Sequence, residues 1–212
     1  MLSKALGALA VAFSIALPAS ATTFNFAGGG GNAPSYTFGP TDGLTVTATA
    51  GYAFGGDIYD YGQVYQGGYG LGVDLGIADG PYVDGTLANN ALVFEFNQSV
   101  NLESLSLSLF NTEGSWFLWW YIPETNDEFD IYNGNGGWSL VSSENTDNPY
   151  GFGGGLTTNK FAITATDHND DFKVYSLTVS GAIPEPATWL MMIMGFGLVG
   201  IASRRRTGLV RA

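Results

Sequence analysis

Two runs of oxygen-bearing side chains are the first residues here with usable chemistry: Asn126, Asp127, Glu128 and Asp130, then Asp167, His168, Asn169, Asp170 and Asp171. Hard cations take about six to eight oxygens from carboxylates, amides and carbonyls, and loops at strand ends supply them. Asp127, Glu128, Asp130, Asp167, Asp170 and Asp171 are therefore candidate Ca2+ ligands. Neither run has EF-hand spacing, and the plain alternative is a pair of solvated acidic turns.

A second chemistry is stacking. The segment Ser115 to Ile122 reads as one strand, whose alternation sends Trp116, Leu118, Trp120 and Ile122 to one side and Phe117, Trp119 and Tyr121 to the other. If the first set packs the core, Phe117, Trp119 and Tyr121 form a row of rings suited to sugar faces, which Trp138 and Tyr150 extend. If both faces are covered, all of these rings are core.

Catalytic constellations are scarcer. A Ser-His-Asp triad has to use His168, the single histidine, which sits among carboxylates, and there is no Gly-x-Ser-x-Gly elbow. With no cysteine, thiol nucleophiles and zinc thiolate sites are closed. No phosphate loop or dinucleotide fingerprint occurs. A carboxylate pair for glycoside hydrolysis has many candidates and no spacing that selects one. The expectation is a protein that is not an enzyme, with a surface glycoside hydrolase or polysaccharide lyase as the alternative.

The elements that must position these groups are strands. Leu44, Val46, Ala48 and Ala50 alternate with Thr45, Thr47 and Thr49, and Leu92, Phe94 and Phe96 repeat the period of two. Leu105, Leu107 and Leu109 alternate with serines, Phe161, Ile163 and Ala165 with Ala162, Thr164 and Thr166, and Tyr175, Leu177 and Val179 with Ser176, Thr178 and Ser180. Phe172 and Val174 have the opposite parity from Tyr175, which predicts a bulge between them. Turn clusters separate the strands at Gly28 to Asn32, Gly55-Gly56-Asp57, Gly67-Gly68, Asp79-Gly80-Pro81, Asp84-Gly85, Asn133 to Gly137 and Gly151 to Gly155. Short strands with such turns predict an all-β fold, an antiparallel β-sandwich with jelly-roll-like topology, with a barrel as the alternative. The expected core includes Val46, Phe94, Phe96, Leu107, Trp120, Ile163 and Leu177.

Charge is uneven along the chain. Between Thr22 and Ile183 there are 18 acids against Lys160 and Lys173 alone, a net of −16. Such a surface repels nucleic acid and anionic headgroups, so neither is an expected partner.

The ends carry targeting signals. Lys4, an apolar stretch from Ala5 to Leu17 and Ala19-Ser20-Ala21 read as a cleaved signal peptide over 1–21, with Thr22 the first mature residue. Residues 22–181 are the ectodomain and 182–212 the tail. Ala187 to Ser203 is uncharged and apolar, and as one helix its 17 residues reach ~25 Å against a hydrocarbon core of ~30 Å. That is enough for a short, upright transmembrane helix, with Trp189 at the outer interface and Arg204, Arg205 and Arg206 flanking it on the cytoplasmic side. Pro184 and Pro186 stop helix from forming upstream.

Pro184-Glu185-Pro186, Trp189, Met191-Met192, Gly195-Phe196-Gly197, Gly200 and Arg204 to Arg206 together resemble the PEP-CTERM sorting signal in its PEPxxWA variant, with Leu190 in place of the usual alanine. The resemblance implies a Gram-negative host, export through the inner membrane, transient anchoring by the tail, recognition of Pro184, Glu185 and Pro186 by an exosortase, and delivery to the cell surface or extracellular matrix. It also implies a link to exopolysaccharide. Tyr65-Gln66, Gly70 to Val73, Val83-Asp84-Gly85, Leu92 to Phe96 and Asn126 to Asp130 are similar to the small β-sandwich ectodomains that PEPxxWA proteins carry. The resulting expectation is a structural or polysaccharide-associated matrix protein.

Overall fold

The computed structural model describes residues 21–76, 80–85, 88–111, 115–117, 120–122, 127–181, 192–193 and 195–197, with the backbone alone at 115–117 and 120–122. Residues 1–20 of the signal segment, Trp119, Asn126, Pro184, Glu185, Pro186, Trp189 and Arg204, Arg205 and Arg206 lie outside them. The strands are β1 (Ala21–Asn25), β2 (Gly31–Ala33), β3 (Ser35–Thr41), β4 (Leu44–Phe54) and β5 (Asp57–Asp60). They continue with β6 (Gln63–Gly67), β7 (Gly70–Asp74), β8 (Val83–Asp84), β9 (Asn89–Ser108) and β10 (Ser115–Phe117). The last are β11 (Trp120–Ile122), β12 (Phe129–Asn133), β13 (Ser139–Asn145), β14 (Tyr150–Ala165) and β15 (Asp171–Gly181). The fold is all-β, and each of these pairings is antiparallel.

Two long strands organise the ladder. The first half of β9 lies between β4 and the second half of β14, with Val46 opposite Phe96 and Phe161 opposite Phe94. The second half of β9 lies between β15 and the first half of β14, with Leu177 opposite Leu105 and Leu156 opposite Leu102. One layer is therefore β3 and β5 along the edge of β4, then β9, β14, β12 and β13. The other is β14, β9 and β15, followed along the far edge of β15 by β1 and by β7, β6 and β2. The two layers are parts of one continuous 13-stranded ladder rather than two separate sheets.

The bend lies where the register breaks. Between Thr158 and Lys160, β14 advances two residues while β9 advances five, from Val100 to Glu95. Between Gly151 and Leu156 the excess is on β14. Extra residues of this kind bend a strand and raise its twist, so each long strand turns the corner without ending. The Gly151 to Gly155 cluster, expected as a turn between strands, is this bulge inside β14. Positive φ at Gly153 (62°) and Gly154 (71°) gives the chain the left-handed conformations that the detour needs. The bulge expected near Tyr175 is present, as a register shift between Val174 and Ser176.

The core lies between the layers. Phe26 stacks on Phe94 at 5.2 Å and meets Phe38 edge-on at 4.9 Å, while Phe94 stacks on Phe161 at 5.0 Å. At the other end Phe129 and Phe110 each pack edge-on against Phe172. Burying each such ring is worth roughly 1.5–3 kcal/mol. Val46, Phe94, Phe96, Leu107, Ile163 and Leu177 are buried as expected; the Trp120 side chain lies outside the described residues. Leu109, expected to continue its strand, instead adopts φ 60° just after β9.

The described tail residues, 192–193 and 195–197, are helical. Among the described residues no helix is long and apolar enough to cross a membrane.

Candidate functional site: an acidic clamp and a tyrosine shelf

The pairing of β12 with β14 sets Phe129 opposite Ala165, so the residues just before β12 meet those just after β14. The two acidic runs, remote in sequence, thus become neighbours. Asp170 is buried; its Oδ1 accepts the Glu128 amide at 2.9 Å. Its Oδ2 accepts the amides of Thr166 and Asp167, at 2.9 and 2.6 Å, and the Thr166 hydroxyl at 2.9 Å. Asp127 is fully buried, with Oδ1 accepting the Asp171 amide at 3.1 Å and Oδ2 the Asn111 amide. These carboxylates clamp three loops together.

Electrostatics in the corner follow from burial and crowding. Burial raises the Asp170 pKa, and the hydrogen bonds from Asp167, Glu128 and Thr166 pull it back. Desolvation raises Glu128, assisted by repulsion from Asp170, Glu144, Asp167 and Asp130. Asp130 is raised by burial against the pull of the Glu144 amide, which it accepts at 3.0 Å. Asp171 sits opposite Asp84 across β8 and β15. Both oxygens of Asp127 and of Asp170 already accept hydrogen bonds. Among the described residues no group of three or more His, Asp or Glu side chains is arranged to hold a metal. His168 is exposed in the turn before Asp170.

Of the expected aromatic row Phe117, Trp119 and Tyr121, Trp119 lies outside the described residues and the other two are described by their backbone. Residues 115–117 and 120–122 are two short antiparallel strands, β10 and β11, with Trp116 opposite Tyr121 and Phe117 opposite Trp120. Phe117 and Tyr121 therefore lie on different strands of a pair.

An exposed ring cluster does exist, on the β4–β5 hairpin. Gly55 and Gly56, with φ of 64° and 90°, make its two-residue turn, the conformation such hairpin turns require. Register sets Tyr52 opposite Tyr59, and their rings stack at 5.3 Å with 20° between planes. Tyr61, whose amide donates to the Ala50 carbonyl, stands edge-on to Tyr52 at 6.4 Å. Tyr59, Tyr61 and Phe54 are 45%, 59% and 73% exposed. Exposed Asp57 and Asp60 flank them. Beside this shelf lies Asn90, opposite Tyr52 and fully buried; its Nδ2 donates to the Tyr82 carbonyl at 3.4 Å and its Oδ1 has no partner. Tyrosines on both sides of a Gly-Gly-Asp turn were the signal for this shelf, and the sequence reading took the stretch as a turn alone.

Lys173 is the remaining unusual group. It is 4% exposed, with Nζ 4.3 Å from the Tyr65 ring centroid and 4.7 Å from that of Tyr82. Ring faces stabilise the ammonium, but burial lowers its pKa to about 8.

After the last strand of the antiparallel ladder, which ends at Gly181, the sequence continues with Pro184-Glu185-Pro186, an apolar segment and an arginine cluster. Residues 182–206 match the family model of the PEP-CTERM protein-sorting motif. The chain carries that motif, and with it the character of a secreted protein processed by an exosortase. No curated protein and no solved structure matches the chain.

Proposed function

We propose that this is a non-enzymatic protein of the cell surface or extracellular matrix whose ectodomain, a jelly-roll-like β-sandwich over residues 22–181, associates with polysaccharide. Residues 1–21 act as a cleaved signal peptide. Ala187 to Ser203 form a transient transmembrane helix in the inner membrane with Arg204, Arg205 and Arg206 inside, until the exosortase acts at Pro184, Glu185 and Pro186. The tail match supports the sorting half of this reading.

The observation that carries the binding half is the Tyr52, Tyr59 and Tyr61 shelf. Contiguous rings left in water invite aggregation, so a cluster of them marks a contact surface. The apolar face of a pyranose suits rings with hydroxyl tips, and Asp57 and Asp60 supply acceptors for sugar hydroxyls. With a net of −16 between Thr22 and Ile183, 18 acids against two lysines, a neutral polymer is the natural occupant. In the acidic corner Asp127 and Asp170 are committed to amides, which supports a holding role for these two carboxylates over a hydrolytic one. The test incubates the secreted protein with matrix polysaccharide from the producing cells and follows binding and reducing-end release together. Binding without release supports the proposal, and release of new reducing ends replaces it with the hydrolase reading.

A further inference from the structure

The face of the first layer opposite the shelf carries a polar track beside the small apolar cluster of Ile58, Ala91, Val93, Tyr132 and Ala162. Thr37 is opposite Thr47, Thr47 opposite Glu95, and Glu95 opposite Lys160, so four strands contribute one row. Directly opposed residues share a face, and three strand spacings give the row a length of about 14 Å, room for a few sugar units. Its chemistry is graded. The Thr37 and Thr47 hydroxyls lie 2.9 Å apart, Glu95 and Lys160 pair at 3.5 Å, and Lys160 sits 5.5 Å over the Trp138 ring. Thr45, Thr47, Thr49, Glu95 and Asn97 line a depression there.

The two surfaces lie on opposite sides of one sheet. From Val46 to Ala53 the register of β4 with β9 is unbroken, so Thr47 and Tyr52, five positions apart, project to opposite faces. Tyr59 shares the Tyr52 face by its pairing. Both surfaces suit the same occupant: the track offers hydroxyls, one paired carboxylate and one ammonium, with no net charge, and an indole at its end. A single polymer segment reaches both only by rounding the sheet edge.

We infer that the first layer carries two polysaccharide-binding surfaces back to back, and that the protein crosslinks neutral matrix polysaccharide rather than merely coating it. This rests on the polysaccharide reading above and adds bivalency to it.

The test mixes the secreted protein with the neutral polysaccharide fraction of the producing cells' matrix and measures binding by sedimentation and crosslinking by low-shear viscosity. The wild type is expected to raise viscosity. Tyr59→Ala on one face and Thr47→Ala with Glu95→Gln on the other should each leave binding detectable but about tenfold weaker, as loss of one of two engaged surfaces reduces avidity, and each should abolish the viscosity rise. Tyr61→Ala replaces Tyr59→Ala if that variant fails to fold by circular dichroism. A wild type that binds without raising viscosity at any ratio overturns crosslinking, as does a track variant that keeps the full rise; both leave the single-surface reading standing. No binding by the wild type overturns both.

Discussion

Strand β4 holds two regions that obey one rule and meet opposite fates. Val46, Ala48 and Ala50 alternate inward and are buried, while Tyr52 and Phe54 continue the same parity and Phe54 ends 73% exposed. The difference lies above the strand. Val46, Ala48 and Ala50 belong to one buried cluster with Phe26, Leu177 and Val179 of the second layer, and Tyr52 and Phe54 lie outside that cluster. Periodicity decides which side a residue faces, and the extent of the neighbouring layer decides whether that side is core or surface.

The sharpest way to break this contrast is to truncate a ring on each side of the boundary. Phe94→Ala, inside the Phe26 and Phe161 stack, is expected to lose about 3–5 kcal/mol in denaturant unfolding. A loss within about 0.5 kcal/mol, the range of surface changes, would show that the layers do not close as described.

Next in size is the acidic corner. Asp170→Ala strands three amides and a hydroxyl, and at about 1–3 kcal/mol per unmet buried donor, with solvent reaching some of them, a loss of about 3 kcal/mol is expected. Because the Asp127 and Asp170 oxygens are occupied, melting temperature is expected to be the same in millimolar Ca2+ and in chelator. An upward shift with Ca2+ would show that Glu128, Asp130 and Asp167 gather a cation after all.

Lys173 gives a smaller, pH-dependent effect. Burial lowers its pKa from an ordinary 10.5 to about 8, so between those values the unfolded chain holds more protons and stability rises with pH. The cost of the buried charge is fully present below about pH 8 and fades above it. The quantity to measure is the wild type minus Lys173→Met difference in unfolding free energy. A difference that stays flat from pH 7.5 to 10 would count against a buried ammonium between Tyr65 and Tyr82.

The smallest expected effect is Tyr59→Ala. Its half-exposed ring loses one stacking partner, a cost of about 0.5–1.5 kcal/mol, while polysaccharide binding falls. A loss as large as that of Phe94→Ala would place Tyr59 in the core and remove the shelf.

The sequence by itself determined the strand class, the parity of β4, β9 and β14, the bulge near Tyr175 and the sorting tail, because each is written in local spacing: a period of two, a parity slip, a contiguous motif. It also marked both acidic runs, though not their use. Only the tertiary structure decided that those runs meet, since that depends on β12 pairing with β14 some 30 positions later, and that their buried oxygens accept amides instead of standing free. The same holds for the glycines of residues 151–155, a turn by composition and a bulge once β9 holds both flanks. For the aromatics the layers alone chose, leaving Tyr59 and Tyr61 in solvent while Phe94 was buried, because burial is a property of what lies opposite a side chain and no local pattern encodes where the opposing layer stops.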